Sequence, residues 1–250
     1  MSVVQTIIAA VRSAATYVSV GLYVALVGPP ALVAALLVRS PAILYRAGRL
    51  GVRLGLWLSG IRHEVEGGGH VQRDRAAVYA VNHASNVEPP ILFEALHHLF
   101  PRLRILYKAE LRSLPVLTRA FDLAGFVPLD RGNRDQSLPA IDRAADALRA
   151  GNSFLIFPEG TRSRTGDLLP FKKGGFIMAL KAGAPVVPVA IVGARAAMRK
   201  GSPIIRPVTV HVRFGRPVET AGLGLDDRDW LVAEVRGRVA ALLGHQPTVG

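Results

Sequence analysis

Ala76-Ala77-Val78-Tyr79-Ala80-Val81-Asn82-His83-Ala84-Ser85-Asn86-Val87-Glu88-Pro89-Pro90 takes the chain from an apolar strand at 76–81, through a polar loop, into a helix that begins at about Pro89. Proline is tolerated in a first helical turn and pushes the residue before it away from helical angles, so the Pro-Pro pair marks the helix start. A strand that passes into a helix across a loop carrying a histidine and a glutamate is a building unit of α/β sheets. Such sheets present their functional loops at one edge.

The same texture extends outward from this unit. Short apolar runs bounded by turn residues predict strands at 61–66, 103–107, 125–129, 153–157, 185–192 and 208–214. Between and after them, 89–99, 136–150, 174–182 and a final amphipathic stretch at 226–243 have the spacing of helices. The expected fold is therefore α/β: a mixed, mostly parallel central sheet flanked by helices, over residues 61–250.

Residues 1–60 read differently. They contain no acidic residue, their charges are Arg12, Arg39, Arg46, Arg49 and Arg53, and 13–38 carries no charge at all. As one helix that run would be about 39 Å long, enough to cross a bilayer. Gly28-Pro29-Pro30 falls inside it, so two helical arms bent there are expected, the second amphipathic with its arginines toward lipid phosphates. The run is too long, and Arg12 too isolated, for a cleaved leader. Residues 1–60 are thus expected to be a membrane-embedded or interfacial helical hairpin, with the arginines favouring the cytoplasmic face of the inner (plasma) membrane.

The whole chain has 250 residues, half of them apolar, and no cysteine, which removes disulfides, thiolate nucleophiles and cysteine-ligated metals. Its 31 Lys and Arg against 18 Asp and Glu leave a formal charge of +13, so an anionic partner is expected. Nucleic acid is a poor fit: aromatics are 6% of the chain and no basic strip interleaves with them. The histidines outside the 82–90 loop form no spaced cluster with carboxylates, so no metal and no cofactor are expected.

His83 and Glu88 are five residues apart. On a continuous helix they would point about 140° from each other, so only a turn can fold the carboxylate back onto the imidazole. A carboxylate that accepts the proton of one ring nitrogen leaves the other free to take a proton from a hydroxyl. Ser85 is the competing nucleophile, but no Gly-x-Ser-x-Gly elbow surrounds it. Phe157-Pro158-Glu159-Gly160-Thr161-Arg162-Ser163-Arg164 follows another strand and has the makings of an anion cradle. Gly160 permits close backbone approach, Thr161 and Ser163 offer hydroxyls, and Arg162 and Arg164 offer forks for phosphate. Lys108 and Arg131 likewise follow strands.

With these segments in order, the chain resembles the glycerolipid acyltransferase superfamily, in particular bacterial 1-acylglycerol-3-phosphate acyltransferases, over roughly 61–214. Asn82-His83 through Glu88 is similar to the first block of that family, Gly125-Phe126-Val127-Pro128-Leu129-Asp130-Arg131 to the second, Phe157 to Ser163 to the third and Val187-Pro188-Val189-Ala190-Ile191 to the fourth. The resemblance implies transfer of a fatty acyl group from acyl-CoA or acyl carrier protein to the sn-2 hydroxyl of lysophosphatidic acid, giving phosphatidic acid at a membrane. It implies His83 as general base and Glu88 as its orienter. It also implies that Glu159, Gly160, Thr161 and Arg162 hold the acceptor phosphate, with Lys108 and Arg131 adding charge. A two-helix N-terminal membrane motif is also known in the family. One departure is that Glu88 stands where the family usually has Asp, so the turn must retract by about one bond length, and Glu88→Asp is expected to keep or raise turnover.

Overall fold

The computed structural model describes residues 3–113, 115–129 and 134–244. In chain order its elements are α1 (Val3–Val38), α2 (Ala42–Ser59), β1 (Arg62–Glu66), β2 (Val78–Val81), α3 (Glu88–Ala95), β3 (Leu103–Lys108), α4 (Pro115–Leu123), β4 (Val127–Leu129), α5 (Arg134–Arg149), β5 (Ser153–Ile156), α6 (Gly174–Ala182), β6 (Val186–Val192), α7 (Ala194–Ala197), β7 (Thr209–Phe214) and α8 (Arg228–Gly244). Each strand expected from the sequence is present, shortened by a residue or two at some ends. Helices α4 and α7 are additions to the expected elements.

The strands form one sheet in the order β1-β7-β6-β2-β5-β3-β4. From β6 to β4 neighbours are parallel, β7 runs antiparallel to β6, and β1 is parallel to β7. The sheet is thus mixed and mostly parallel, as expected. β2 lies in its middle, between β5 and β6, and is buried on both faces.

Alternation along the strands divides the core in two. Tyr79, Val81, Leu155, Val187 and Val189 face a layer containing Leu56 of α2 and Ile91 and Leu92 of α3. Val78, Ala80, Phe154, Ile156 and Val186 face α5, α6 and α8 through Ala144, Phe176 and Val235. Side chains of period two on a strand must point to opposite faces, so a central strand needs apolar residues on both, which β2 and β6 have throughout and β5 has after Ser153.

The N-terminal pair departs from expectation at its turn. The expected bend at Gly28-Pro29-Pro30 is absent as a break: α1 continues through both prolines to Val38 over 36 residues, about 54 Å. Each proline deletes only its own donor, and the ladder on either side holds the helix together. The chain reverses instead at Arg39–Pro41, where Arg39 takes a left-handed φ of 54°. There the amide of Ser40 reaches the carbonyl of Ala35 at 3.0 Å and the amide of Arg39 that of Leu36 at 3.2 Å, the closing pattern of a helix end. Pro41 then precedes α2 with an angle already suited to it.

Polar anchors fasten this pair to the sheet domain. The amide of Ile205 donates to Ser13 Oγ at 2.7 Å, and Tyr17 donates to the carbonyl of Pro203 at 2.8 Å. The forked bond of Arg49 to Glu94, at 2.9 and 2.8 Å, joins α2 to α3, so this arginine serves packing and not lipid phosphates. Much of α1 is left uncovered: Ile7, Val11, Val18, Leu22, Leu26 and Leu37 are exposed.

Candidate active site

β2 delivers its loop to the sheet edge through Asn82. The Asn82 amide accepts from the backbone N–H of Ile191 at 2.8 Å and donates to its carbonyl at 3.1 Å, so a side chain continues the ladder with β6 one residue past the strand. Asn82→Ala leaves both backbone groups of a buried residue unpaired and is expected to cost about 1–3 kcal/mol. The measurement is the denaturant midpoint of the variant against the parent.

The loop then folds Glu88, the first residue of α3, under His83. Glu88 Oε2 lies 2.6 Å from His83 Nδ1, and the amide of Ala84 donates to Oε1 at 2.9 Å and Oε2 at 3.1 Å. Prolines in the first turn of α3 start the helix at the position that makes this reach possible. The longer side chain at 88 is therefore accommodated with a short hydrogen bond to the imidazole. Burial pushes the Glu88 carboxyl above its ordinary range, although the His83 ring and the amides of Ala84 and Ser85 pull against that shift.

Phe157 stacks on the His83 ring at a centroid distance of 4.2 Å and holds its plane. Glu88 is completely buried, whereas the His83 side chain keeps 16% of its surface exposed. His83 Nε2 makes no hydrogen bond among the described residues. With Nδ1–H directed to the carboxylate, Nε2 presents a lone pair to whatever occupies the edge of the sheet, which is the geometry of a general base. Ser85, by contrast, is fully buried and donates to the carbonyl of Met198 at 2.7 Å, so it is no nucleophile.

β5 lies beside β2, with Ala80 opposite Ile156, and its following loop interlocks with the first. The amide of Ser163 donates to the His83 carbonyl at 2.7 Å, and the amide of His83 donates to Glu159 Oε1 at 2.6 Å. The other Glu159 oxygen accepts from the amide of Leu169 at 3.0 Å. The expectation that Glu159 holds phosphate does not suit these contacts: both oxygens are engaged by backbone donors, and a carboxylate repels an anion. Its contacts set the positions of the two loops. Burial pushes the Glu159 carboxyl up as well, with the His83 and Leu169 amides opposing.

Gly160, Thr161 and Arg162 stand on the turn above Glu159, with Gly160 at a left-handed φ of 71° and Thr161 exposed. Lys108 ends β3, two strands from β2, and is paired with Glu110 at 2.9 Å. Arg131 lies outside the described residues. Two further cations on this turn escaped the sequence reading: Lys200, which donates to the Arg162 carbonyl at 2.9 Å, and Lys172, whose side chain lies against Gly160. No local signal marks either one, because they approach from the segments before α6 and after α7.

An apolar cavity beside the 82–90 loop opens onto a second one further along the helices. The first, of about 410 Å³, lies between α1, α2 and the start of α3 and is lined in part by Val20, Gly51, Asn86, Val87 and Pro90. The other, of about 590 Å³, continues along α1 and α2 to α4, and Tyr23, Val24 and Gly48 line both.

A family model described as "Acyltransferase" matches residues 62–192. The 1-acyl-sn-glycerol-3-phosphate acyltransferase of Limnanthes douglasii is 33% identical over 210 residues, covering 82% of this chain and 70% of that one. The Borreliella burgdorferi protein of the same name is 27% identical over 195 residues, covering 78% and 77%. Among solved structures, the 1-acyl-sn-glycerophosphate (LPA) acyltransferase PlsC of Thermotoga maritima superposes with a TM-score of 0.79 at 25% identity, over 98% of this chain and 100% of that one.

Proposed function

The chain belongs to the acyltransferase family, and from that premise we propose that it moves a fatty acyl group from a thioester onto the sn-2 hydroxyl of 1-acylglycerol-3-phosphate. The product is phosphatidic acid, and the donor is acyl-CoA or acyl carrier protein. What carries this reading is the 2.6 Å contact of His83 Nδ1 with the buried Glu88, with Nε2 making no hydrogen bond among the described residues and the His83 backbone bonded to the loop that carries Gly160, Thr161 and Arg162.

In the reaction, His83 Nε2 takes the proton of the acceptor hydroxyl as that oxygen attacks the thioester carbonyl carbon. Glu88 stabilises the imidazolium that forms. The C–S bond then breaks, and the leaving thiolate takes the proton back from Nε2, so the protein ends as it began. No acyl-enzyme is needed, because the thioester is already activated. Arg162 and Thr161 hold the acceptor phosphate, which fixes the hydroxyl relative to Nε2. The apolar cavity beside Val87 and Pro90 suits an acyl chain.

Membrane association is part of this reading and is supported by α1. Within Val4–Val38 an 18-residue stretch has a mean hydropathy of 2.1 and only 11% of it is buried, so most of the apolar surface of α1 has no cover among the described residues. We assign it to the lipid phase of the inner membrane, with the arginines of α2 on the cytoplasmic side.

The test is an assay of purified protein in lipid with lysophosphatidic acid and each donor in turn, comparing the parent with Arg162→Ala. Esterification of lysophosphatidic acid, with acceptor KM raised in the variant, is the expected result. No product with either donor would refute the assignment. Vesicle flotation in high salt checks the anchor: protein held by apolar insertion stays bound, whereas protein held by charge is released.

A further inference from the structure

The chain has five lysines: Lys108, Lys172, Lys173, Lys181 and Lys200. Lys108 is paired with Glu110, Lys173 with Asp229 and Lys181 with Asp142. Lys172 and Lys200 form no ion pair among the described residues, and both reach the turn that carries Gly160, Thr161 and Arg162.

Each is held there by bonds that bear on the turn itself. Lys200 Nζ donates to the Arg162 carbonyl at 2.9 Å and to Thr161 Oγ1 at 3.3 Å. Lys172 comes back to the base of the same loop through its amide, which donates to the Pro158 carbonyl at 2.8 Å. Its side chain occupies the space a side chain at 160 would fill. A Cβ placed on Gly160 would lie 2.8 Å from Lys172 Cε and 3.2 Å from Nζ. Gly160 therefore admits the lysine as well as the left-handed turn.

Two ammonium groups held against one turn repel one another, and among the described residues no carboxylate forms an ion pair with either. Glu159, the acid nearest in sequence, is turned under the loop onto two amides. A phosphate monoester supplies what the site lacks: close to two negative charges and three terminal oxygens, each able to accept charge-assisted bonds. We propose that Lys172 contacts the phosphate of the acceptor across Gly160, and that Lys200 is a positioning residue that holds Thr161 and Arg162 toward it. This rests on the acyltransferase reading above and deepens it: the turn selects a phosphomonoester lysolipid over a phosphodiester or a neutral one.

The experiment measures kcat and acceptor KM with saturating donor for Lys172→Met, Lys172→Arg, Lys200→Met and Lys200→Arg beside Arg162→Ala and His83→Ala. Lys172→Met should raise acceptor KM by about 10- to 100-fold, the worth of one charged hydrogen bond, while kcat falls by less. Lys172→Arg should recover most of that rise. Lys200→Met should raise acceptor KM by about 3- to 10-fold with donor KM unmoved, and Lys200→Arg should restore it, because a guanidinium can bond the same two oxygens. Acceptor KM within twofold of the parent in Lys172→Met, with Arg162→Ala still defective, overturns the assignment and leaves the acyltransferase reading standing. So does a raised KM that Lys172→Arg leaves uncorrected, since charge is then not what was lost. Retention of full turnover in His83→Ala would instead refute the reading on which this one rests.

Discussion

His83→Ala is expected to lower kcat by about 10²- to 10⁴-fold, the usual contribution of a positioned general base. The substitution removes a group that combines an open lone pair with a fixed direction. Nδ1 is committed to Glu88, Phe157 holds the ring plane, and Nε2 makes no hydrogen bond among the described residues. Stability should change little by comparison, since the loop is also held through the His83 backbone, bonded to Glu159 and Ser163. A single-turnover measurement separates the chemical step from binding. Equal single-turnover rates in parent and variant would remove His83 from the mechanism.

The second large effect is expected at Glu88. Glu88→Gln keeps the shape but not the charge, so the imidazolium that forms during attack loses its counter-ion, and turnover should fall by about 10²-fold or more. Glu88→Asp should also be impaired. The sequence pattern favours tolerance of aspartate, but here the carboxylate reaches Nδ1 at 2.6 Å from the first residue of α3. Shortening the side chain by about 1.5 Å breaks that contact and empties space in a fully buried site. Parental turnover in Glu88→Asp would show that α3 slides to follow the shorter side chain.

Both pH profiles follow from the raised Glu88 carboxyl. A protonated Glu88 no longer accepts the imidazole proton as an anion. Activity should therefore fall, as pH is lowered, at a higher pH than an ordinary glutamate would give, with the proton belonging to the His83–Glu88 pair. Stability runs the other way. A carboxyl whose folded pKa exceeds its unfolded one favours the fold while protonated, and that contribution is lost as pH rises through the folded value. Glu88→Gln should remove this dependence, so its stability relative to the parent should improve as pH rises across that window. Parallel stability profiles for parent and Glu88→Gln would contradict the buried-carboxylate account.

The seven strands were legible because period-two burial leaves a trace in any window of a few residues, and the central strands show it as continuous apolar runs. The turn of the N-terminal pair was misplaced for the opposite reason. Proline advertises a possible break, but whether a helix breaks depends on what caps it, and the closing bonds of Ser40 to Ala35 and Arg39 to Leu36 leave no motif. Arg49 was read as facing lipid because its partner, Glu94, lies on another helix. The contacts of Glu159 were equally hidden: residue type suggested a ligand group, while the structure turns its oxygens onto the amides of His83 and Leu169.

The amino-acid sequence by itself determined the alternation of strands and helices, the apolar N-terminal segment, and the two loops that had to meet at a sheet edge. These are set by hydrophobic period and backbone stereochemistry over neighbouring residues. Only the tertiary structure decided which way the Glu159 carboxylate turns, that Asn82 clamps Ile191, and that Lys172 and Lys200 arrive at Gly160–Arg162 with no ion pair among the described residues. Those contacts join residues tens of positions or more apart, or depend on how a loop closes, and their energies are gained only once the sheet has brought the segments together.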